Sequence, residues 1–454
     1  MPLLSAVRSF RGKGGPSAPF RIRAAALVLG AALFFIFDAA LNAYSVLSHE
    51  ALLDTVWEPV IKPLLLRKFP SASEAQLLEA HAYAYGGCVI ADMGYYPFGN
   101  RFFSDLAHYV RTGDFTKALL DEAQDMYEYA FALGALAHYA ADNDGHPLGV
   151  NRSVPEIYPK LREKYGQAVT FVQDPKAHVL VEFSFDVAQI AGAGYLPATY
   201  HNFIGFKVAR ESLARAFQRT YGIEFKSLFF SEDLAIGTFR RGASEVIPRL
   251  TQIAWKERKD QIQKLNPGVT RKKFVYRLSR SNYDVEWGHN YKRTRHFFRR
   301  WGEGDAQLGL LARFLVFLLE LLPKVGPLQT LNFRSPTVQT QAMFVDSFRA
   351  TLDLYQGLLG EVTTNLLVLE NKDLDTGELI RAGGYELADR TYGKLLHKLA
   401  ENHFRTVTPE LRNHIVAFYG DLNAPLATKK DPSEWQKTLR ELKDLEGTPA
   451  RATE

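Results

Sequence analysis

The chain has 454 residues, of which 46% are hydrophobic and 23% charged, a composition typical of a globular protein with room for two or three domains. Its single cysteine, Cys88, excludes an internal disulfide framework and a cysteine-based zinc site, so any bound metal would need histidine and carboxylate ligands. The formal net charge of +5 arises near the N-terminus, because the first 23 residues contain five basic residues and no acid.

The first 43 residues have the pattern of an export signal. A basic leader is followed by an apolar run of 14 residues from Ala24 to Phe37, and small residues then extend to Ala43. A membrane-spanning helix needs roughly 20 apolar residues, whereas a run of this length is typical of a signal-peptide core. We therefore predict that residues 1–43 are a signal peptide cleaved after Ala43, with an uncleaved N-terminal anchor as the alternative.

Beyond the leader, the sequence predicts helices. Ser73 and Gln76 form a capping-box signature at a helix start, and the apolar pattern predicts one long helix from about Thr116 to Ala141. A glycine and a proline follow and predict a break in that helix, with His146 in the turn between them. Strand-like alternation is rare, so the predicted fold class is an all-α multi-helix bundle.

Histidines and acids recur at helical spacing in the first half of the chain. His138 and Asp142 stand four residues apart, as do His178 and Glu182, so each pair shares one helix face. One such pair is more often a hydrogen-bonded feature of a core than a pair of ligands, but several pairs in one region favour a metal site inside the bundle. In chain order the candidate ligands are His49, Asp92, His108, His138, Asp142, His146, His178 and Glu182.

These residues resemble the motifs of the zinc-dependent phospholipase C family, whose fold is shared with the single-strand-specific nuclease/3′-nucleotidase family. The resemblance lies between Tyr44 and Tyr195, in the segments YSVLSH, IADMGYYPF, LAHYV, LAHYAADNDGHP and HVLVE. It implies an all-α domain over residues 44–205 with a buried trinuclear zinc site. Residues 206–454 lie outside the resemblance, and we expect them to form a largely helical extension of unknown role.

The resemblance also implies how up to three zinc ions are shared among the ligands. The residues implied for the first zinc are Asp92, His108, His138 and Asp142. Asp142 would bridge to a second zinc, which His49 also binds. The residues implied for the third zinc are His146, His178 and Glu182, although the gap from Asp142 to His146 is shorter than is usual in the family.

The resemblance also implies roles for the mature N-terminal residue, for Asp92 in catalysis and for two residues that would orient the ligands. In the family the mature N-terminal residue completes the second zinc site, and Tyr44, five residues before His49, stands in that position here instead of the usual tryptophan. Asp92 would also be catalytic, as the group that receives the proton of the attacking water. His81 and Asp186 lie at helical spacing from the ligands and are interpreted as residues that orient them.

The implied activity is zinc-dependent hydrolysis of a phosphodiester. We favour an exported phospholipase C-like enzyme acting on phospholipid headgroups at a membrane surface, because export and the aromatic loop YYPFGNRFF suit such a substrate. One alternative is a nuclease or 3′-nucleotidase on the same fold, which would bind nucleic acid. Another is a non-catalytic envelope protein that zinc stabilises.

The sequence of two C-terminal segments fits more than one role. Residues 256–300 contain 14 Lys or Arg and four acids with aromatic residues between them, a pattern that fits a lipid-headgroup or nucleic-acid surface. It equally fits a solvated helix face with buried aromatic side chains. The apolar stretch Leu308 to Pro323 predicts a buried helix, with an interfacial membrane helix as the alternative.

Overall fold

The structure is a computed structural model that describes residues 46–192, 205–242 and 334–448, with short pieces at 255, 259–260, 262–263 and 267–271. Within these ranges the protein is helical and has no strand, and one antiparallel bridge pairs Lys372 with Leu379. The predicted all-α fold class is therefore confirmed.

Several sequence predictions concern residues outside these ranges. They are the leader 1–43, Tyr44, the stretch Leu308 to Pro323 and most of the basic segment 256–300. Among the helices that the structure does describe, none combines the length and the apolar character needed to cross a membrane.

The N-terminal part of the structure supplies all the candidate ligands that can be described. Its helices are α1 (Val46–Val56), α2 (Lys62–Lys68), α3 (Glu74–Gly87), α4 (Arg101–Tyr109), α5 (Thr112–Asp121), α6 (Met126–Asp144), α7 (Asn151–Ile157), α8 (Pro159–Tyr165) and α9 (Pro175–Gly192). Shorter helical turns link them: π-helical Trp57–Ile61, 3-10 Ile90–Tyr95 and π-helical Gly145–Val150.

The C-terminal part packs onto the same core. Its helices are α10 (Arg210–Tyr221), α11 (Glu232–Arg241), α12 (Val338–Thr364), α13 (Glu386–Glu401), α14 (Pro409–Phe418) and α15 (Pro432–Gly447), with 3-10 turns at Phe225–Leu228 and Ala427–Lys430. One apolar cluster joins buried side chains from both parts, and the Tyr355 hydroxyl of α12 donates to the Leu133 carbonyl of α6 at 2.9 Å. The domain boundary at residue 205 stays a prediction.

Helix α6 lies at the centre of the bundle and packs against α3 with almost no space between the backbones. A Cβ atom added at Gly134 would lie 2.0 Å from the Ala84 carbonyl oxygen, and one at Gly87 would lie 1.9 Å from the Phe131 carbonyl oxygen. Only glycine permits such an approach. Close packing therefore fixes the height and rotation of the helix that carries two candidate ligands.

The predicted helix from Thr116 to Ala141 is wrong, because the chain forms two helices there. Helix α5 ends at Asp121, and α6 starts at Met126 with Asp125 as its N-cap. The Asp125 carboxylate accepts the backbone N–H groups of residues 127 and 128 at 2.8 Å each, which satisfies donors that a helix start leaves unpaired. The Ser73–Gln76 capping box at the start of α3 is confirmed.

The break predicted at Gly145 and Pro147 is a change of helix type, with His146 in the turn as predicted. Helix α6 continues to Asp144, and the chain then forms the π-helical turn Gly145–Val150 and runs on into α7. Pro147 lacks an N–H group, and the wider π-helical turn accommodates it without ending the helical path. As a result His146 stays on the buried side of the chain and is 5% exposed.

Candidate metal centre

His49 reaches the centre of the bundle from α1. It is fully buried, its Nε2 lies 3.6 Å from Asp142 Oδ1, and its ring stacks on the His138 ring with centroids 4.7 Å apart. The start of α1 is tied to α9 because Asp186 accepts hydrogen bonds from the Ser48 hydroxyl at 2.8 Å and the Leu47 N–H at 3.3 Å. Asp186 therefore positions the residues just before His49.

His138 and Asp142 lie one turn apart on α6 and face the same space. Their Nε2 and Oδ2 atoms are 3.2 Å apart. The other ring nitrogen of His138, Nδ1, lies 3.0 Å from the Cys88 carbonyl oxygen at the C-cap of α3. Since a carbonyl oxygen only accepts, Nδ1 must carry the proton, and Nε2 is left with its lone pair.

His108 on α4 has the same arrangement. Its Nδ1 lies 2.8 Å from the Ser104 carbonyl oxygen, and its Nε2 lies 3.5 Å from Asp92 Oδ1 and 3.4 Å from Asp142 Oδ2. Asp92 is carried by the 3-10 helix Ile90–Tyr95, which the Ser104 hydroxyl fastens to α4 by donating to the Ala91 carbonyl and accepting the N–H of residue 94 at 2.9 Å.

The two rings therefore direct their Nε2 atoms at one position. His108 Nε2 and His138 Nε2 are 3.3 Å apart, and both rings already donate from Nδ1 to backbone carbonyls. Two neutral rings would oppose their lone pairs at this distance, so the arrangement requires either an added proton or a cation. The carboxylates of Asp92 and Asp142 at the same position favour a cation of charge greater than one.

A third cluster forms where the π-helical turn meets α9. His178 Nε2 lies 2.8 Å from Glu182 Oε1, one turn further along α9. His146 Nε2 lies 3.8 Å from the same oxygen and 3.7 Å from Asp142 Oδ1. The π-helical turn thus brings His146 within reach of both the α9 pair and the α6 carboxylate.

The donor set fits zinc. Three buried groups of potential ligand atoms lie within 4.8 Å of one another in each group: His49, His138 and Asp142; Asp92, His108 and His138; and His146, His178 and Glu182. Both carboxylate oxygens of Asp142, both of Glu182 and Oδ1 of Asp92 are buried, and their contacts with histidine nitrogens do not have the geometry of hydrogen bonds. Buried carboxylates without partners are costly, whereas nitrogen and carboxylate oxygen are the ligands that zinc prefers.

Burial and mutual charge shift the pKa values in this centre in opposite directions. Burial lowers the pKa of His49 well below its usual value, and the neighbouring His138 adds to this effect. Burial raises the pKa of Glu182 well above its usual value. Burial would also raise the pKa of Asp142, but His138 and His146 hold it well below its usual range. Asp142 is therefore the anionic group at the centre of the cluster.

The structure brings together eight of the nine predicted ligands. Tyr44, the ninth, lies outside the described residues. Asp186 contacts the segment that carries His49, in line with its predicted orienting role. His81 instead pairs with Asp54, whose Oδ1 lies 3.0 Å from its Nε2, and stacks on Trp57 with centroids 3.7 Å apart.

Sequence reasoning missed one acidic residue at the centre, Asp375. It belongs to the loop between α12 and α13 and is 2% exposed. Its Oδ1 lies 3.4 Å from His146 Nδ1 and 3.9 Å from His178 Nε2. The sequence around it, DLDTGE, has the glycine of a turn but no helical spacing relative to any candidate ligand, so no periodic signal could have identified it.

Comparison with known proteins finds a family that is similar to the segment holding the centre. Residues 48–231 match the family described as zinc dependent phospholipase C. The match covers less than half of the chain, includes His49 through Glu182, and confirms the resemblance inferred from the motifs. Asp375 lies outside it. No curated protein and no solved structure matches the chain.

Proposed function

We propose that this chain, whose residues 48–231 match the zinc dependent phospholipase C family, is a zinc-dependent phosphodiester hydrolase acting on phospholipid headgroups. The observation that carries the proposal is the convergence of His108 Nε2 and His138 Nε2, 3.3 Å apart, on the carboxylates of Asp92 and Asp142. Zinc bound at such a position polarises a phosphoryl oxygen and lowers the pKa of water to near neutrality.

The proposed ligand sets follow the three buried groups. Asp92, His108 and His138 would hold one ion, and His49 with Asp142 a second. His146, His178 and Glu182 are proposed to hold the third. The two oxygens of Asp142 face different histidines, since Oδ2 is 3.2 Å from His138 Nε2 and Oδ1 is 3.6 Å from His49 Nε2. This difference supports a bridging role for Asp142.

Asp92 is the proposed catalytic residue. Its Oδ1 is buried without a hydrogen-bond partner and lies 3.5 Å from His108 Nε2, so the carboxylate is at the proposed ion position and has acceptor capacity left. We propose that Asp92 accepts the proton of the attacking water. The water oxygen would bond to phosphorus as the phosphorus–oxygen bond to the departing group breaks. His146, His178 and Glu182 would hold an ion whose positive charge stabilises the oxygen of the departing group.

An exposed aromatic residue six positions after Asp92 in the sequence supports a lipid substrate. Tyr95 and Tyr96 are buried, so most of the predicted aromatic loop belongs to the core. Phe98 differs, because it is 52% exposed and has a φ of 61°, a backbone conformation that is uncommon for residues other than glycine. Its ring is available to contact an acyl chain, which a nucleotide substrate lacks.

The N-terminus of the exported protein is proposed to supply a further metal ligand. We propose that cleavage after Ala43 frees the amine of Tyr44, which would complete the ion position beside His49. The burial of Val46 at the start of α1 and of His49 within it supports this. A Met-Gly extension ahead of Tyr44 would convert the amine into an amide, so the extended protein should bind one zinc fewer. Unchanged zinc content in the extended protein would reject this ligand.

Turnover tests the proposed function. Zinc-loaded mature protein, beginning at Tyr44, should release phosphorylated headgroups from a panel of phospholipid vesicles and should leave single-stranded DNA and 3′-nucleotides intact. Asp92→Asn should lower the rate by at least a hundredfold, the order expected for loss of a general base. Faster turnover of single-stranded DNA would favour the nuclease alternative. A protein with full zinc content and no turnover of either substrate class would favour the non-catalytic alternative.

A further inference from the structure

A loop of the C-terminal part, residues 369–380, lies directly on the metal centre. The Leu374 N–H donates to the carbonyl oxygen of His108 at 3.0 Å. On the other side of the loop, Asn151 Nδ2 donates to the Asp375 carbonyl oxygen at 2.6 Å. The loop is therefore hydrogen-bonded both to a proposed zinc ligand and to α7.

A close backbone approach fixes the tip of this loop. Gly377 has a φ of +71°, and a Cβ atom there would lie 2.6 Å from the carbonyl oxygen of Asn143, the residue after Asp142. At the base of the loop, the Thr112 hydroxyl lies 2.7 Å from the Lys372 carbonyl oxygen, to which it donates. The position of the loop relative to the end of α6 is thus set by contacts along its whole length.

The Asp375 side chain is aimed by this framework. Its Oδ2 accepts the Phe171 N–H at 2.9 Å and the hydroxyl of Tyr385. With Oδ2 held in this way, Oδ1 points at the third cluster, where His146 Nδ1 faces it at 3.4 Å. The same ring directs Nε2 toward Asp142 and Glu182, at 3.7 and 3.8 Å.

We infer that Asp375 is a positioning residue for the third metal site. Its Oδ1 lies 3.4 Å from His146 Nδ1 and accepts no other hydrogen bond from the described residues. In the zinc-loaded protein it would accept the Nδ1–H hydrogen of His146, which would leave Nε2 unprotonated and directed at the ion position. The inference rests on the proposed function only in requiring zinc at this position. Metal-binding histidines commonly donate their second ring nitrogen to a carbonyl or a carboxylate, which fixes the tautomer and the ring orientation.

The other cluster in the same protein supports this arrangement. His108 and His138 each place Nδ1 against a backbone carbonyl oxygen, at 2.8 and 3.0 Å, and direct Nε2 inward. His146 has a carboxylate in the corresponding position. An anionic acceptor raises the basicity of the ring more than a carbonyl does. The C-terminal part would therefore complete a metal centre whose described ligands lie in the segment that matches the family.

Matched substitutions in the full-length chain test the inference. Asp375→Asn and Asp375→Ala should weaken the binding of one zinc ion by roughly ten- to a hundredfold, the range measured for such outer residues, with alanine the more severe. Asp373→Asn is the control, because Asp373 has the same burial and lies in the same loop, where it accepts the Asp375 N–H at 2.9 Å. Zinc retained in a series of zinc-buffered solutions, counted by elemental analysis, gives the affinities.

A second measurement distinguishes loss of the Asp375 contact that orients the His146 ring from general damage to the loop. In ¹⁵N-histidine NMR spectra of the zinc-loaded protein, the resonance lost in His146→Asn identifies this ring. It should have a downfield Nδ1–H proton that Asp375→Ala abolishes and Asp373→Asn preserves. Equal weakening of zinc in the two asparagine variants, or wild-type affinity in Asp375→Ala, would overturn the inference. A wild-type protein that binds no zinc would instead reject the proposed function.

Discussion

His108 and His138 direct their Nε2 atoms at each other across 3.3 Å, although each ring already donates from Nδ1 to a backbone carbonyl oxygen. Each carbonyl fixes the tautomer of its ring, so neither neutral ring can relieve the approach by moving its proton. With the carboxylate of Asp142 beside both rings, this relationship supports the proposal that the polar cluster buried in the apolar bundle holds cations.

The shared carboxylate gives the first prediction. Asp142→Asn should lower the zinc content by two ions per chain, because one carboxylate faces two of the proposed positions. His178→Ala should lower the zinc content by one ion per chain. The ion pairs of His178 are with Glu182 and Asp375, which lie at the third proposed position only. Elemental analysis of the purified variants measures both. If Asp142→Asn retained the full zinc content, the bridging assignment would be wrong.

The second prediction concerns the contact between Asp186 and the start of α1. Asp186→Ala should lower the free energy of unfolding by about 1–3 kcal/mol, because the Ser48 hydroxyl and the Leu47 N–H lose a buried acceptor. It should also weaken zinc binding beside His49. Thr55→Ala, on the exposed face of the same helix, serves as the control. Urea unfolding of both variants should separate them, and equal stability would contradict the proposed role of Asp186.

The third prediction concerns the close packing of α3 against α6. Gly134→Ala would place a methyl group 2.0 Å from the Ala84 carbonyl oxygen. The helices must then separate, at a cost of about 1–3 kcal/mol in the free energy of unfolding. Gly357→Ala is the matched control, since nothing lies within 4 Å of a Cβ atom there and helix propensity should stabilise it by about 0.5–1 kcal/mol. Urea midpoints that shift in the same direction in the two variants would contradict this packing.

A buried histidine away from the metal centre gives a pH-dependent prediction. Burial, reinforced by Arg111, lowers the pKa of His414 to about 4, below its usual value of 6.5. The unfolded chain therefore binds a proton that the folded chain excludes between these pH values, so stability present above pH 6.5 is lost as pH falls toward 4. The loss attributable to His414 should reach about 3 kcal/mol.

Comparison with a variant isolates this contribution. In zinc-free protein, His414→Gln should lose less stability than the wild type between pH 7 and pH 4.5, as measured by urea unfolding. The exposed His403→Asn should follow the wild type and serves as the control. An unchanged pH dependence in His414→Gln would show that His414 does not exclude the proton in the folded state.

The local patterns of the sequence predicted much of the centre, because its main pairs lie on single helices. His138 with Asp142, and His178 with Glu182, are four residues apart, and this spacing is enough to place each pair on one face. The structure adds a feature that residue spacing does not predict. The π-helical turn keeps His146 on the buried side after a glycine and a proline that predict a break.

Contacts between segments that are distant in the sequence determine the features that the sequence did not predict. Asp375 reaches the centre from a turn that has no periodicity, and only the packing of the C-terminal part places it against His146. His81 has helical spacing from the ligand set but pairs with Asp54 on α1. In both cases the partner is chosen by how helices pack, which the sequence of one helix does not specify.

Zinc content of the mature protein, which we propose begins at Tyr44, tests the central claim most directly. The three buried clusters predict close to three zinc ions per chain in protein purified under zinc-replete conditions, counted by elemental analysis. These ions should be removable by a strong chelator and should return on addition of zinc. A zinc content near zero under the same conditions would contradict the claim that this histidine and carboxylate centre is a metal site.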